Sequence, residues 1–142
     1  MAKIIGDAYS VGATSVGGRG GKVWSDDHVI NLEMRSPGAP GSEGFANPEM
    51  LFAAGWAACF NGALKYAANL KRIRVGETEV KVTVSLGKDA DGNFQLGAAI
   101  DVKIPGVDRN TAEELAKDAH GICPYSRATR GNVEVVVRAE AV

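Results

Sequence analysis

Residues 50–70, MLFAAGWAACFNGALKYAANL, constrain the chain more than any other stretch. Their clearly polar side chains are Asn61, Lys65 and Asn69, spaced four apart, which makes one narrow stripe on an α-helix. Every other position is apolar or small, and a helix apolar nearly all round is buried nearly all round. The flanks agree. Asn47 suits an N-cap, Pro48 the first helical position and Glu49 the positive end of the dipole, with the helix running to about Leu70; Lys71 and Arg72 suit the negative end. A membrane span does not fit, because residues 52–70 hold two Gly, two Asn and a Lys, and alanine gives little transfer energy.

The rest of the chain reads mostly as strands. Residues 3–16 look extended, and VGGRGGK (16–22) is a glycine-rich turn. Residues 22–34 suggest two strands around a turn at Ser25–Asp26–Asp27, and residues 36–46, with two Pro and three Gly, a loop. Residues 77–88 alternate, with Val80, Val82, Val84 and Leu86 on one face. Asp91-Gly92-Asn93 turns the chain into a hairpin partner at 94–104. Thr111 and Glu114 fit a capping box for a shorter helix with Ala112, Leu115, Ala116 and Ala119 inside and Gly121 as its C′ residue. CPYSRATRGN reads as a loop and VEVVVRAEAV as the last strand. The expected class is α+β: a mainly antiparallel sheet packed on a long buried central helix and a shorter second helix, in a single domain over 1–142.

One sheet covers one side of the long helix, and one short helix leaves little for the other. A second copy of the chain would supply the cover, so an obligate homodimer is expected, with Gly55, Ala58 and Gly62 allowing close backbone approach. The net charge is −1 with both signs interspersed, which points away from nucleic acid. MAKIIGDAYSVG has no signal-peptide core, so a cytoplasmic location without membrane attachment is expected.

Cys59 lies in the middle of the apolar segment, and the only other cysteine is Cys123. In a reducing compartment both are free thiols, and a bridge between them is transient. Either one taken alone also fits a small buried hydrophobe. On an ideal helix Cys59 stands about 200° from Asn61, on the side of Phe52, Trp56, Ala63 and Tyr66. Apolar surroundings raise a thiol pKa, and the helix start is roughly 18 Å away, so chemistry at Cys59 needs an imported positive charge. Arg19 in VGGRGGK is a candidate, although by itself it reads first as an exposed arginine on a flexible turn. That turn is no phosphate loop, since Val16 stands where the first Gly belongs and Val23 follows Lys22 in place of Ser or Thr.

VGGRGG, NPEMLFAAGWAACFNGALKYAA around Cys59 and ICPYSRATRGN around Cys123 together resemble the organic hydroperoxide resistance proteins, the Ohr branch of the Ohr/OsmC family. The resemblance spans essentially the whole chain, with Arg127 standing where that motif usually has Asn. It implies a cysteine peroxidase that needs no metal or other cofactor. Cys59 would attack an organic hydroperoxide, Cys123 would resolve the sulfenic acid as a disulfide, and Arg19 and Glu49 would complete the site. It also implies an intertwined dimer and a dithiol reductant, a lipoyl group on a carrier protein. Glu49 lies about 15 Å along the helix from Cys59, so it either orients Arg19 or serves the Cys59 of a partner subunit; an Arg19–Glu49 ion pair is the expected use, and Glu49 also fits a plain helix-start carboxylate. Phe52, Trp56, Tyr66 and Phe45, with Pro40, are expected to give the site its preference for organic peroxides, and each also fits ordinary core packing.

Three other readings compete. A cysteine hydrolase would need His28 or His120 as base. A non-catalytic dimer would bind an apolar ligand in the same pocket. A metal site would have to use Cys59, Cys123 and His120, a scattered set of only three ligands.

Overall fold

The computed structural model describes residues 1–142, which group into two compact units, Met1–Pro48 and Glu49–Val142. The first holds a three-stranded antiparallel sheet of β1 (Ala13–Val16), β2 (Lys22–Ser25) and β3 (Asn31–Glu33), in that order. Residues 1–12 lie outside regular structure, so the strand expected over 3–16 shrinks to its last four residues. The reason is the partner: β2 ends at Ser25, opposite Ala13, and offers earlier residues no ladder.

The glycine-rich stretch turns tightly, as its composition predicts. Gly17 has φ 82°, and a Cβ on Gly21 would sit 1.8 Å from the Val16 carbonyl oxygen. The next turn is longer than expected and runs to Ile30. Ser25 Oγ donates to Asp27 Oδ1 (2.6 Å) and accepts from Ile30 N–H (3.0 Å), while Asp27 Oδ1 accepts from Val29 N–H (3.0 Å). These side chains take backbone groups that a strand would have used. The loop over 36–46 closes at its neck, where Arg35 N–H donates to Ala46 O (3.0 Å) and Ala46 N–H to Glu33 O (3.2 Å).

The second unit contains α1 (Pro48–Leu70, starting at the boundary), β4 (Glu79–Lys88), β5 (Phe94–Ile104), α2 (Arg109–Ile122), α3 (Pro124–Thr129) and β6 (Glu134–Ala141). β4 and β5 form the expected antiparallel hairpin, whose turn is tied by Asp89 Oδ1 accepting from the backbones of Asp91 and Asn93, both at 2.9 Å. β6 pairs parallel with β5, because α2 and α3 carry the chain back across the sheet between them. The fold class is α+β and mainly antiparallel, as read from the sequence. Trp56, Phe60, Leu64, Ala67 and Ala68 of α1 pack with Ile100, Val102 and Ile104 of β5 and with Leu115, Ala116 and Ala119 of α2. Burying a side chain such as Phe60 contributes roughly 1.5–3 kcal/mol. The opposite face of the sheet is polar: Lys81, Asp101 and Arg138 stand in one row, and Arg138 grips Asp101 with bonds of 2.6 and 3.0 Å.

Helix ends carry most of the corrections. α1 stops with Arg72 at φ 54°, where Ile73 N–H donates to Ala68 O (2.9 Å) and Arg72 N–H to Asn69 O (3.1 Å). This is a Schellman motif with arginine in the usual glycine position. Lys71 reaches α2, pairing with Glu114 at 2.6 Å and Asp118 at 2.7 Å. The N-cap of α2 is Asp108, which accepts from Thr111 N–H at 2.8 Å; Thr111 is already helical, so it is no capping-box Ser/Thr. Gly121 lies inside α2, one residue short of its end. CPYSRATRGN is not a plain loop: Pro124 opens α3 at a position where its missing N–H costs nothing.

Candidate active site

Phe52, Gly55, Trp56 and Cys59 occupy positions i, i+3, i+4 and i+7 of α1 and so share one face. That face meets α3. The Trp56 ring is 1% exposed, and its Nε1–H donates to Ser126 Oγ at 3.1 Å, with Ser126 fully buried. Gly55 leaves room for the Tyr125 ring, since a Cβ there would stand 3.2 Å from the ring edge. The Phe52 ring lies edge-on to Trp56 at 5.5 Å and 6.4 Å from the Tyr125 ring. One turn beyond Trp56, the sulfurs of Cys59 and Cys123 share an S–H···S hydrogen bond at 3.6 Å. Both are free thiols; Cys59 is half-buried and Cys123 fully buried.

Burial pushes the Cys59 thiol above its ordinary value, and the Cys123 sulfur beside it pushes the same way. The Tyr125 backbone N–H, donating to Cys59, opposes both. Within residues 49–142 the balance favours a protonated Cys59 at neutral pH. Nucleophilic chemistry there needs a positive charge beyond this set, which is what the sequence pattern also required.

The structure brings together Cys59, Cys123, Phe52 and Trp56. Tyr66 shares their side of α1 but is 56% exposed and outside the core. Phe45 lies at the base of the 36–46 loop, half-buried, with the Arg35 guanidinium 4.5 Å above its ring. Arg19 is the exposed middle residue of the 3-10 turn Gly18–Gly20, and Glu49 is half-buried in the first turn of α1. His120 lies against Phe60 at 6.4 Å; its Nδ1 is buried without a hydrogen-bond partner, and burial, then Arg130, pushes its pKa down. No hydrogen bond joins its Nδ1 to Cys59, whose sulfur is hydrogen-bonded to Cys123 instead. No three His, Cys, Asp or Glu side chains converge, so Cys59, Cys123 and His120 form no metal-ligand set.

Sequence reasoning missed Tyr125 and Ser126. The signals were present: a buried Trp needs a partner for its N–H, and a Pro directly after Cys123 suits a helix start.

A helix carrying Cys59, with Cys123 packed against it from the α2–α3 joint, in an α+β chain of this topology, is an arrangement with known members. The model of the OsmC-like proteins matches residues 41–138. The chain is 48% identical over 133 residues to organic hydroperoxide resistance protein OhrA of Bacillus subtilis, covering 91% of this chain and 94% of that protein. The crystal structure of OhrB from Bacillus subtilis is similar with TM-score 0.86 and 43% identity, over 94% of this chain and 98% of that one. An organic hydroperoxide resistance protein from Elizabethkingia anophelis gives TM-score 0.86 and 44% identity, over 96% of this chain and 100% of the other. The chain belongs to the OsmC-like family, in its organic hydroperoxide resistance branch.

Proposed function

We propose that this protein detoxifies organic hydroperoxides as a cysteine-based peroxidase. The relatives are named for organic hydroperoxide resistance, and the observation that carries the reading is the Sγ–Sγ distance of 3.6 Å between Cys59 and Cys123. The Cys59 thiolate attacks the terminal peroxide oxygen, the alcohol leaves, and Cys59 is left as a sulfenic acid. Cys123 condenses with it, releasing water and closing a disulfide. An external dithiol, in this reading a lipoyl group on a carrier protein, reopens the bridge by exchange.

Arg19 is the cation this chemistry requires, held by Glu49. Guanidinium stays protonated and offers donors in a fixed plane to the thiolate and to the developing alkoxide. Phe52 provides apolar surface beside Cys59, with Phe45 and Tyr66 completing it and Trp56 lying beneath. The working unit is a homodimer. Its support is a row along α1 at spacing four, Met50, Ala54, Ala58, Gly62, Tyr66 and Leu70, all exposed in the single chain. Ile4, Ile5, Tyr9 and Val11 are exposed as well. No helix is long and apolar enough to cross a membrane, and the proposed setting is the cytoplasm.

The test is hydroperoxide consumption with dihydrolipoamide as reductant. Wild type consumes tert-butyl or fatty-acid hydroperoxide faster than hydrogen peroxide, and Cys59→Ser consumes neither. Equal rates for both oxidants would remove the apolar pocket, and activity without Cys59 would remove the mechanism.

A further inference from the structure

α3 has six residues, too few to hold itself as a helix in water, and it carries the joint at which Cys123 sits. Cys123 stands between α2 and α3, where its N–H donates to Ala119 O (2.8 Å) and its carbonyl accepts from Arg127 N–H (2.9 Å); these bonds hold its backbone but do not fix the rotation of its side chain toward Cys59. The contacts with α1 do. Trp56 bonds Ser126, and Cys59 bonds Cys123. Trp56 and Cys59 are one turn apart on α1, as are Ser126 and Cys123 at the start of α3, in the opposite sense. The two bonds are therefore successive rungs between antiparallel segments. The Tyr125 ring against Gly55 lies beside the first rung. Thr129, the other buried polar residue of α3, bonds only the carbonyls of Tyr125 and Ser126 and gives no hold on α1.

We propose that Trp56 and Ser126 are positioning residues for disulfide closure: their hydrogen bond sets α3 so that the Cys123 sulfur faces Cys59. This rests on the peroxidase reading, with Cys123 as the resolving thiol. In the step concerned, Cys59–SOH and Cys123–SH give Cys59–S–S–Cys123 and water. The S–S bond forms as the S–O bond breaks, and the Cys123 proton leaves with the hydroxyl. Cys123 is oxidised and the Cys59 sulfur reduced. A second hydroperoxide competes by carrying the sulfenic acid to sulfinic acid. Loosening the rung favours the competitor.

The experiment equilibrates the full-length protein with mixtures of reduced and oxidised dithiothreitol. It compares wild type, Ser126→Ala, Trp56→Phe and the double variant. Each single change is expected to lower the equilibrium constant for forming the Cys59–Cys123 disulfide by about three- to tenfold, the worth of one buried hydrogen bond. The double variant is expected to fall no further than the weaker single variant, since both changes remove one bond. After excess hydroperoxide, the sulfinate share rises in the same order. A merely structural bond would destabilise the reduced and oxidised forms alike and leave the exchange constant in place. Single variants within about twofold of wild type, or additive losses in the double variant, would overturn the proposal. If Ser126→Ala does not fold, Trp56→Phe breaks the same bond from the other side. A wild type that forms no such disulfide in any of these mixtures would overturn the pairing itself, and this proposal with it. That failure shows in the wild-type arm alone.

Discussion

Cys59 and Cys123 meet at 3.6 Å, yet the chain holds them by opposite means. Cys59 sits well inside a 23-residue helix, its backbone locked by hydrogen bonds on both sides and its face packed by Phe52 and Trp56. Cys123 sits at a joint with φ −58° and ψ 121°, between a 14-residue helix and a six-residue one. A disulfide needs the sulfurs at about 2 Å, so one side has to move. The difference lies in the mounting: one sulfur stands within a single long helix, the other between two helices that Trp56 and Ser126 tie to α1.

The largest expected effect breaks this pairing outright. Cys123→Ser is expected to lose sustained turnover with a dithiol while still consuming one equivalent of hydroperoxide to form the sulfenic acid, and a second as Cys59 runs on to sulfinic acid. Rapid-quench mass spectrometry distinguishes this from a variant that never reacts. Replacing Arg19 comes next. Rate follows the thiolate, and burial raises the Cys59 pKa. Arg19→Ala should therefore move the midpoint of the pH–rate profile upward, with the rate at neutral pH falling and the alkaline rate largely regained. A profile that does not move would assign the charge to another residue.

Smaller effects sharpen the contrast between the rigid helix and its surroundings. Asn61, the first residue of the polar stripe, clamps α1 onto the start of β4. Its Nδ2 donates to Thr78 O at 3.1 Å, and Thr78 Oγ1 donates to its Oδ1 at 2.5 Å. Asn61→Ala should cost about 1–3 kcal/mol in denaturant unfolding by leaving the Thr78 groups unpaired. The smallest effect lies on the far face of the sheet. The Arg138 guanidinium holds the Asp101 carboxyl below its usual range, so its stabilisation is present above the unfolded-state pKa and lost as pH falls through the lowered one. Asp101→Asn should be slightly less stable than wild type at neutral pH and equal to it in strong acid.

The helix around Cys59 was legible because burial and periodicity leave a direct mark on composition. An alanine-rich run with three polar residues at spacing four has few other ways to fold. The hairpin was legible for the same reason, through alternation at Val80, Val82 and Val84. The joint at Cys123 was not. Six residues carry too little periodicity to announce a helix, and Ser126 gives no sign in sequence that its hydroxyl serves Trp56, 70 residues away. Thr111 and Glu114 misled because a capping box is a local pattern, and Asp108 satisfied the same N–H first. The resemblance supplied the two cysteines as a pair; physical reading of the residues alone left each a plausible core thiol.

The most direct test of the central claim is the intact mass of the reduced protein after one equivalent of organic hydroperoxide, followed by peptide mapping. The account predicts the loss of two hydrogens and a single cross-linked peptide pair joining Cys59 to Cys123, restored to the starting mass by a dithiol. An oxygen retained on Cys59 with Cys123 still alkylatable, or a protein of unchanged mass, would contradict it.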